Sequence, residues 1–173
     1  MTALPDGVWR DVFVTGLKNA HGVEHQAIAL MDRQIDRARN FPEVADQLRA
    51  HRQETVHQIE RLEGVLAQFD ETPSRFKDAA LSLTGNLAAL GHAFAEDEIL
   101  KNAFANFAFE NYEVAIYRGL LLLAEQGGFS PAYDPLNATL EEELRMARWV
   151  DQSLPQLTEK FLRLKREGEN PSR

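Results

Sequence analysis

Cysteine is absent from the 173 residues, which removes disulfides, thiolate metal sites and cysteine nucleophiles together. Positive charge is scarce as well: 19 Lys and Arg stand against 27 Asp and Glu, a formal net charge of -8 at pH 7. No Lys/Arg-rich arm or stripe is present to neutralise phosphates, so a general nucleic-acid binder is not expected. Long hydrophobic runs are lacking. The longest strongly apolar run, Gly119 to Ala124, is far too short to span a bilayer. Met1 to Arg10, interrupted by Pro5 and Gly7, carries no signal-peptide pattern. Nucleophile triads, phosphate-binding glycine loops and dinucleotide fingerprints are also missing. The expectation is a cytoplasmic protein with neither a membrane nor a nucleic-acid partner.

Strand-type alternation is hard to find, and the periodicity is helical almost throughout. A first helix is predicted from about Asp6 to Arg39, with Phe13, Leu17, Ala20, Ile28, Met31 and Ile35 recurring at three- and four-residue steps. Asn40-Phe41-Pro42 breaks it, because Pro42 cannot continue one helix but can begin the next. The second helix carries Val44, Leu48, Thr55, Leu62, Val65 and Phe69 on one face. After a break over Glu71 to Lys77, a shorter amphipathic piece is predicted from about Arg75 to Ala93. An apolar third long helix opens at the polar run Ala95 to Glu98 and stops near Gln126 at Gly127-Gly128. Ser130-Pro131 reads as a loop and Asp134-Pro135 as the N-cap and first turn of a last helix reaching about Glu167, bent at Pro155. This pattern is all-α: one domain over residues 1–168, a four-helix bundle with a short additional helix between its two hairpins, and a tail from 169 to 173.

The stretch Ala108 to Tyr117 gives the chemistry its starting point. It places Glu110 and Glu113 one turn apart in a helix that is apolar nearly all round, and such a helix is a buried one. Carboxylates are seldom buried without a cation, a partner charge or a donor. At about 100° per residue, Glu24 falls at the centre of the first helix's apolar seam and Glu143 at the centre of the last. On the second helix His51 and Gln58 point along the seam, Glu54 lies at its flank, and His57 is aimed further out. Each long helix thus directs at least one carboxylate inward near mid-height. Like charges so placed demand a polycation or shared protons, which is the logic of a di-iron or di-manganese carboxylate site.

Along roughly Val12 to Leu164 the chain resembles the YciF-like bacterial stress proteins of the ferritin-like superfamily. The resemblance is carried by Glu24, then His51, Glu54-Thr55 and Ile59-Glu60-Arg61-Leu62-Glu63. It continues with Glu110, Tyr112-Glu113, Ala115 and Tyr117, and with Thr139-Leu140 and Glu142-Glu143. It implies a ferritin-like bundle, a homodimer and a metal site. The chain departs from the pattern at two positions: Asn111 stands where His usually follows the first Glu, and Met146 occupies the i+3 place after Glu143. The candidate ligands of two iron or manganese ions are Glu24, Glu54, Glu110, Glu113, Glu143, His57 and His51. Oxidation of Fe(II) by dioxygen or peroxide is the activity such a site would carry.

Blander readings stand beside these. Glu24 and Glu143 can be boundary glutamates reaching solvent. Glu110 and Glu113 can belong to a hydrogen-bond network with Tyr112, Tyr117 or Asn106, and His51 and His57 can be structural or surface histidines. A metal-free structural or stress-interaction protein is the alternative function, and a DNA-protecting mini-ferritin relative is disfavoured by the acidic balance. No role is assigned to His21, His25 or His92. Glu141-Glu142 reads as a solvated first-turn pair, Arg33, Arg37 and Arg39 as a solvated face, and Phe104, Phe107, Phe109 and Tyr117 as core packing.

Overall fold

A computed structural model describes residues 6–72, 97–169 and 171. Its long helices are α1 (Asp6–Ile35), α2 (Pro42–Ala67), α3 (Glu98–Gly127) and α4 (Tyr133–Arg166), with a 3-10 turn at Ser130–Ala132. No strand occurs among the described residues. The short helix expected between about Arg75 and Ala93, with its His92, lies outside them.

Three of the helices end in the same way. Asp70 (φ 60), Gly128 (φ 74) and Gly168 (φ 76) adopt the left-handed conformation. The next amide in each case returns to a carbonyl of the last turn: Glu71 to Leu66, Phe129 to Ala124 and Glu169 to Leu164. Glycine enters that conformation without a Cβ penalty, and aspartate is among the few other residues that tolerate it.

Side-chain pairs fix the helix directions. Gln34 and Asn106 exchange amide hydrogen bonds of 2.9 and 2.8 Å, joining the end of α1 to the start of α3. Gly16, near the start of α1, lies against Leu120 near the end of α3. Lys160 reaches Glu43 and Arg61 reaches Glu142, so α2 and α4 are likewise antiparallel. Because α1 and α2 form one hairpin and α3 and α4 the other, α2 and α3 run in the same direction. This is the up-down-down-up order of a ferritin-like four-helix bundle.

The core is divided. One apolar cluster gathers Phe13, Leu17, Leu62, Leu66, Tyr117, Leu120 and Leu136. The other, towards the opposite end, gathers Met31, Phe41, Leu48, Phe109, Met146 and Phe161. Between them each helix contributes buried polar residues: Glu24 from α1; His51, Thr55 and Gln58 from α2; Glu110 and Glu113 from α3; Thr139 and Glu143 from α4.

Several expectations need correcting. α1 ends at Ile35, not Arg39, because residues 36–41 turn back through tight bonds such as Arg37 amide to Gln34 carbonyl. α4 begins at Tyr133, so Asp134 lies in its first turn instead of capping it. Ser130-Pro131 is part of the 3-10 turn, while α4 runs through Pro155 to Arg166, close to the expected end of the last helix. Phe104 and Phe107 are exposed while Phe109 and Tyr117 are buried, since the apolar residues of α3 occupy more of its circumference than its neighbours cover. Arg37 is only partly solvated: with its side chain 31% exposed it forms a bidentate pair with the buried Glu98, at 2.5 and 2.6 Å. Glu142 is only 13% exposed and is clamped by Arg61 at 2.6 and 2.8 Å.

Candidate metal centre

Helix periodicity brings the carboxylates together. On α1, Glu24 lies between Ala20 and Ala27 on the face that packs against the bundle interior, and it is 1% exposed. Glu113 on α3 and Glu143 on α4 are 1% and 0% exposed, and Glu110 is 5% exposed. Four carboxyl groups thus share a dry layer with one imidazole, that of His51, 1% exposed.

His51 is at the centre of the layer. Its Nδ1 is 3.1 Å from Glu54 Oε2, and its Nε2 is 3.3 Å from Glu110 Oε2 and 3.6 Å from Glu143 Oε2. A carboxylate only accepts hydrogen bonds, so Nδ1 carries a proton towards Glu54 and leaves Nε2 facing the two buried acids. Glu54 stays ionised, its carboxyl held below its ordinary range first by the bond to His51 and also by Arg145, whose guanidinium donates to it at 2.9 Å. His51, Glu110 and Glu143 each offer a ligand atom within 4.8 Å of the others.

The remaining acids are less well compensated. Tyr117 donates to one oxygen of Glu24, and Gln58 donates to Glu143 Oε1 at 2.5 Å while sharing its amide with Glu142 at 3.0 Å. Among the described residues, five carboxylate oxygens in this layer have no hydrogen-bond partner: Glu24 Oε2, Glu110 Oε2, both oxygens of Glu113, and Glu143 Oε2.

Electrostatics register the crowding. Burial pushes the Glu24 carboxyl up to about 8, against the opposing bond from Tyr117. Burial, followed by the charges of Glu143, Glu24 and Glu110, raises Glu113 well above the carboxylate range. Glu143 is raised chiefly by burial too, although His51 pulls the other way. For His51 burial opposes the charged ring, but Glu110 and Glu54 outweigh it and raise the imidazole well above its usual value. Retained protons and one imidazolium therefore offset the repulsion when no cation is bound.

Each residue expected at the site has a definite place. His51, Glu110 and Glu143 converge. Glu24 and Glu113 lie in the same buried layer and interact electrostatically with these acids. Glu54 sits at its rim with its side chain 35% exposed, linking His51 to Arg145. His57 is exposed and stays apart. Asn111 faces outward and donates to the Phe107 carbonyl, whereas Met146 is buried and its sulfur accepts from Gln47. Arg61, Glu142, Gln58 and Arg145 surround the site without having been singled out as its parts. Of these only Gln58 left a trace in the periodicity, by pointing along the seam of α2.

The donor chemistry fits a hard or borderline cation. Four buried carboxylates and an imidazole, with several lone pairs unused, match the ligands preferred by iron and manganese, and the bundle interior is where such centres are built.

Comparison with known proteins agrees with this architecture. A family model described as a domain of unknown function, DUF892, matches residues 8–163. Protein YciF of Escherichia coli K12 is 31% identical over 137 residues, which cover 77% of this chain and 82% of YciF. A protein of Xanthomonas campestris pv. campestris has the same fold, with a TM-score of 0.76 over 91% of this chain and 98% of its own at 22% identity. The crystal structure of the E. coli stress protein YciF superposes with a TM-score of 0.68, covering 89% of this chain and 96% of that one at 26% identity. No helix among the described residues is long and apolar enough to cross a membrane. In sequence and in fold, the chain belongs to the YciF-like family, DUF892.

Proposed function

We propose that this protein is a stress-related, ferritin-like metal binder that holds a pair of iron or manganese ions in the central layer of its bundle. The observation that supports this most directly is the set of five buried carboxylate oxygens without a hydrogen bond around His51, two of them compensated only by its ring at 3.3 and 3.6 Å. Buried polar atoms are nearly always satisfied, and a divalent cation satisfies several of these at once. His51, Glu110 and Glu143 are the nearest complete ligand group, and Glu24 and Glu113 supply further oxygens. Glu54 positions His51 by fixing its tautomer, the usual task of a carboxylate behind a ligating histidine.

Held by His51, Glu110 and Glu143 with Glu24 and Glu113, iron would supply the redox centre for oxidation of Fe(II) by dioxygen or peroxide. The chain's own contribution is to bind and to exclude water. Apolar clusters close the layer on both sides, while Gln58 and Tyr117 orient Glu143 and Glu24. Anaerobic titration with Fe(II), followed by exposure to oxygen, tests this reading. Two equivalents bound, a new near-ultraviolet absorbance and oxygen uptake are expected. Failure to bind Fe(II) or Mn(II), with no rise in melting temperature, rejects it.

The second reading, a metal-free structural or stress-interaction protein, is favoured by Asn111 and Met146, which offer no imidazole where related sites use one. Metal content of the protein as purified separates the two. A homodimeric, cytoplasmic protein without a nucleic-acid partner fits both readings. The exposed Phe104, Phe107, Tyr112 and Leu122 of α3 offer apolar surface for self-association, and light scattering measures it directly.

A further inference from the structure

Outside the central layer, α1 presents His21 and His25 one turn apart, with Glu63 of α2 facing them. The His21 and His25 rings lie 4.6 Å apart between centroids and cross at 71°. His21 Nε2 is 3.2 Å from Glu63 Oε1. The His21 side chain is 9% exposed and that of Glu63 37%, so the group opens to solvent at one edge. His25 is exposed and makes no hydrogen bond among the described residues, leaving its nitrogens available. Lys18, one turn earlier on α1, pairs with Glu71 at 3.0 Å and not with Glu63.

Two histidines at i and i+4 on one helix face form a chelate whose bite the helix itself sets. A carboxylate from the neighbouring helix provides a third donor and neutralises charge. The three donors do not converge in this structure, where only His51, Glu110 and Glu143 do so among the described residues, and binding here requires the exposed His25 side chain to turn about its own bonds.

The geometry points to a second metal site at His21, His25 and Glu63, selective for an imidazole-seeking divalent cation such as Cu(II), Zn(II) or Ni(II). Its two nitrogens distinguish it from the oxygen-rich central layer, where hard ions are favoured. With an open side it takes up and releases its ion readily, in contrast to the enclosed centre. This site stands whether or not the central layer binds iron.

Cu(II) at one equivalent, added to the full-length protein at neutral pH and followed by electron paramagnetic resonance, tests the assignment. Two nitrogen ligands are expected in the hyperfine pattern of the wild type, whereas the central layer can supply only the one imidazole of His51. His25→Ala alters an exposed side chain and should leave the circular dichroism spectrum unchanged. It is expected to lose the two-nitrogen signature and weaken Cu(II) binding at least about tenfold in chelator competition. Glu63→Gln should keep both nitrogens and bind more weakly. A wild-type spectrum with one nitrogen or none, or a His25→Ala protein indistinguishable from wild type, overturns the proposal.

Discussion

At Glu24 burial lifts the carboxyl from 4.5 to about 8, and the sign of the consequence follows from linkage. Below pH 4.5 the folded and unfolded chains both carry the proton. Between 4.5 and about 8 the unfolded chain ionises and the folded one does not, so stability falls as pH rises. Above that window the deficit levels off. Glu113 and Glu143 are raised in the same sense. His51 adds to the trend, since stability drawn from its raised value is present at low pH and lost as pH passes through that value. Glu54, held below its ordinary range, works oppositely, but only in the acid region. In the presence of a chelator the melting temperature is expected to fall steadily from pH 5 to pH 8.5. Glu24→Gln should flatten that slope and raise the melting temperature at pH 8. Fe(II) or Mn(II) should protect most at the alkaline end, where their ligands are ionised. A chelated wild type with a level profile would count against the energetic picture.

At this same scale the inward carboxylates were legible because helical periodicity alone sets their direction. Glu24, Glu113 and Glu143 sit among apolar neighbours at three- and four-residue steps, and no knowledge of the partner helix is needed to aim them. Glu142 and Arg37 were misread for the converse reason. Their pairing is with Arg61 and Glu98, which lie far away in sequence, and no periodicity records such partners.

Among the elements, the helix ends carry much of the bundle's definition. Gly128 holds φ 74 at the end of α3, and no atom lies within 4 Å of the place a Cβ would take. Gly128→Ala is therefore expected to cost about 1–2 kcal/mol through backbone strain alone, read as a lowered denaturation midpoint with an unchanged m-value. The Arg61–Glu142 clamp ties α2 to α4 at the level of the polar layer. Arg61→Ala leaves Glu142 with only the shared Gln58 amide, and after allowing for the arginine's 29% exposure a loss of about 2 kcal/mol is expected. A double-mutant cycle with Glu142→Ala measures the coupling. Element boundaries were legible at Pro42, where α2 begins, and at Gly127-Gly128, where α3 ends, but not at Asp134-Pro135, which lies just inside α4. The surface of α3 was not. A helix apolar nearly all round gives no angle at which to place its outer face, and Phe104 and Phe107 were assigned to the wrong side.

For the molecule as a whole, the four long helices and the two hairpins could be read from the chain, because breaker residues and apolar seams repeat on that length scale. The up-down-down-up order needed the contacts between Gln34 and Asn106 and between Arg61 and Glu142.

The division of the core into two apolar clusters has a consequence for motion. Helices ordinarily open first at their tips, where hydrogen bonds fray and burial is least. Here the weakest cohesion in the metal-free protein lies at the waist, where buried carboxyl groups lack hydrogen bonds and polar side chains take the place of much of the apolar packing. Slowest deuterium uptake is therefore expected on either side of the waist and faster uptake around Thr55 to Gln58 and Glu110 to Glu113, an inversion that a bound cation should erase.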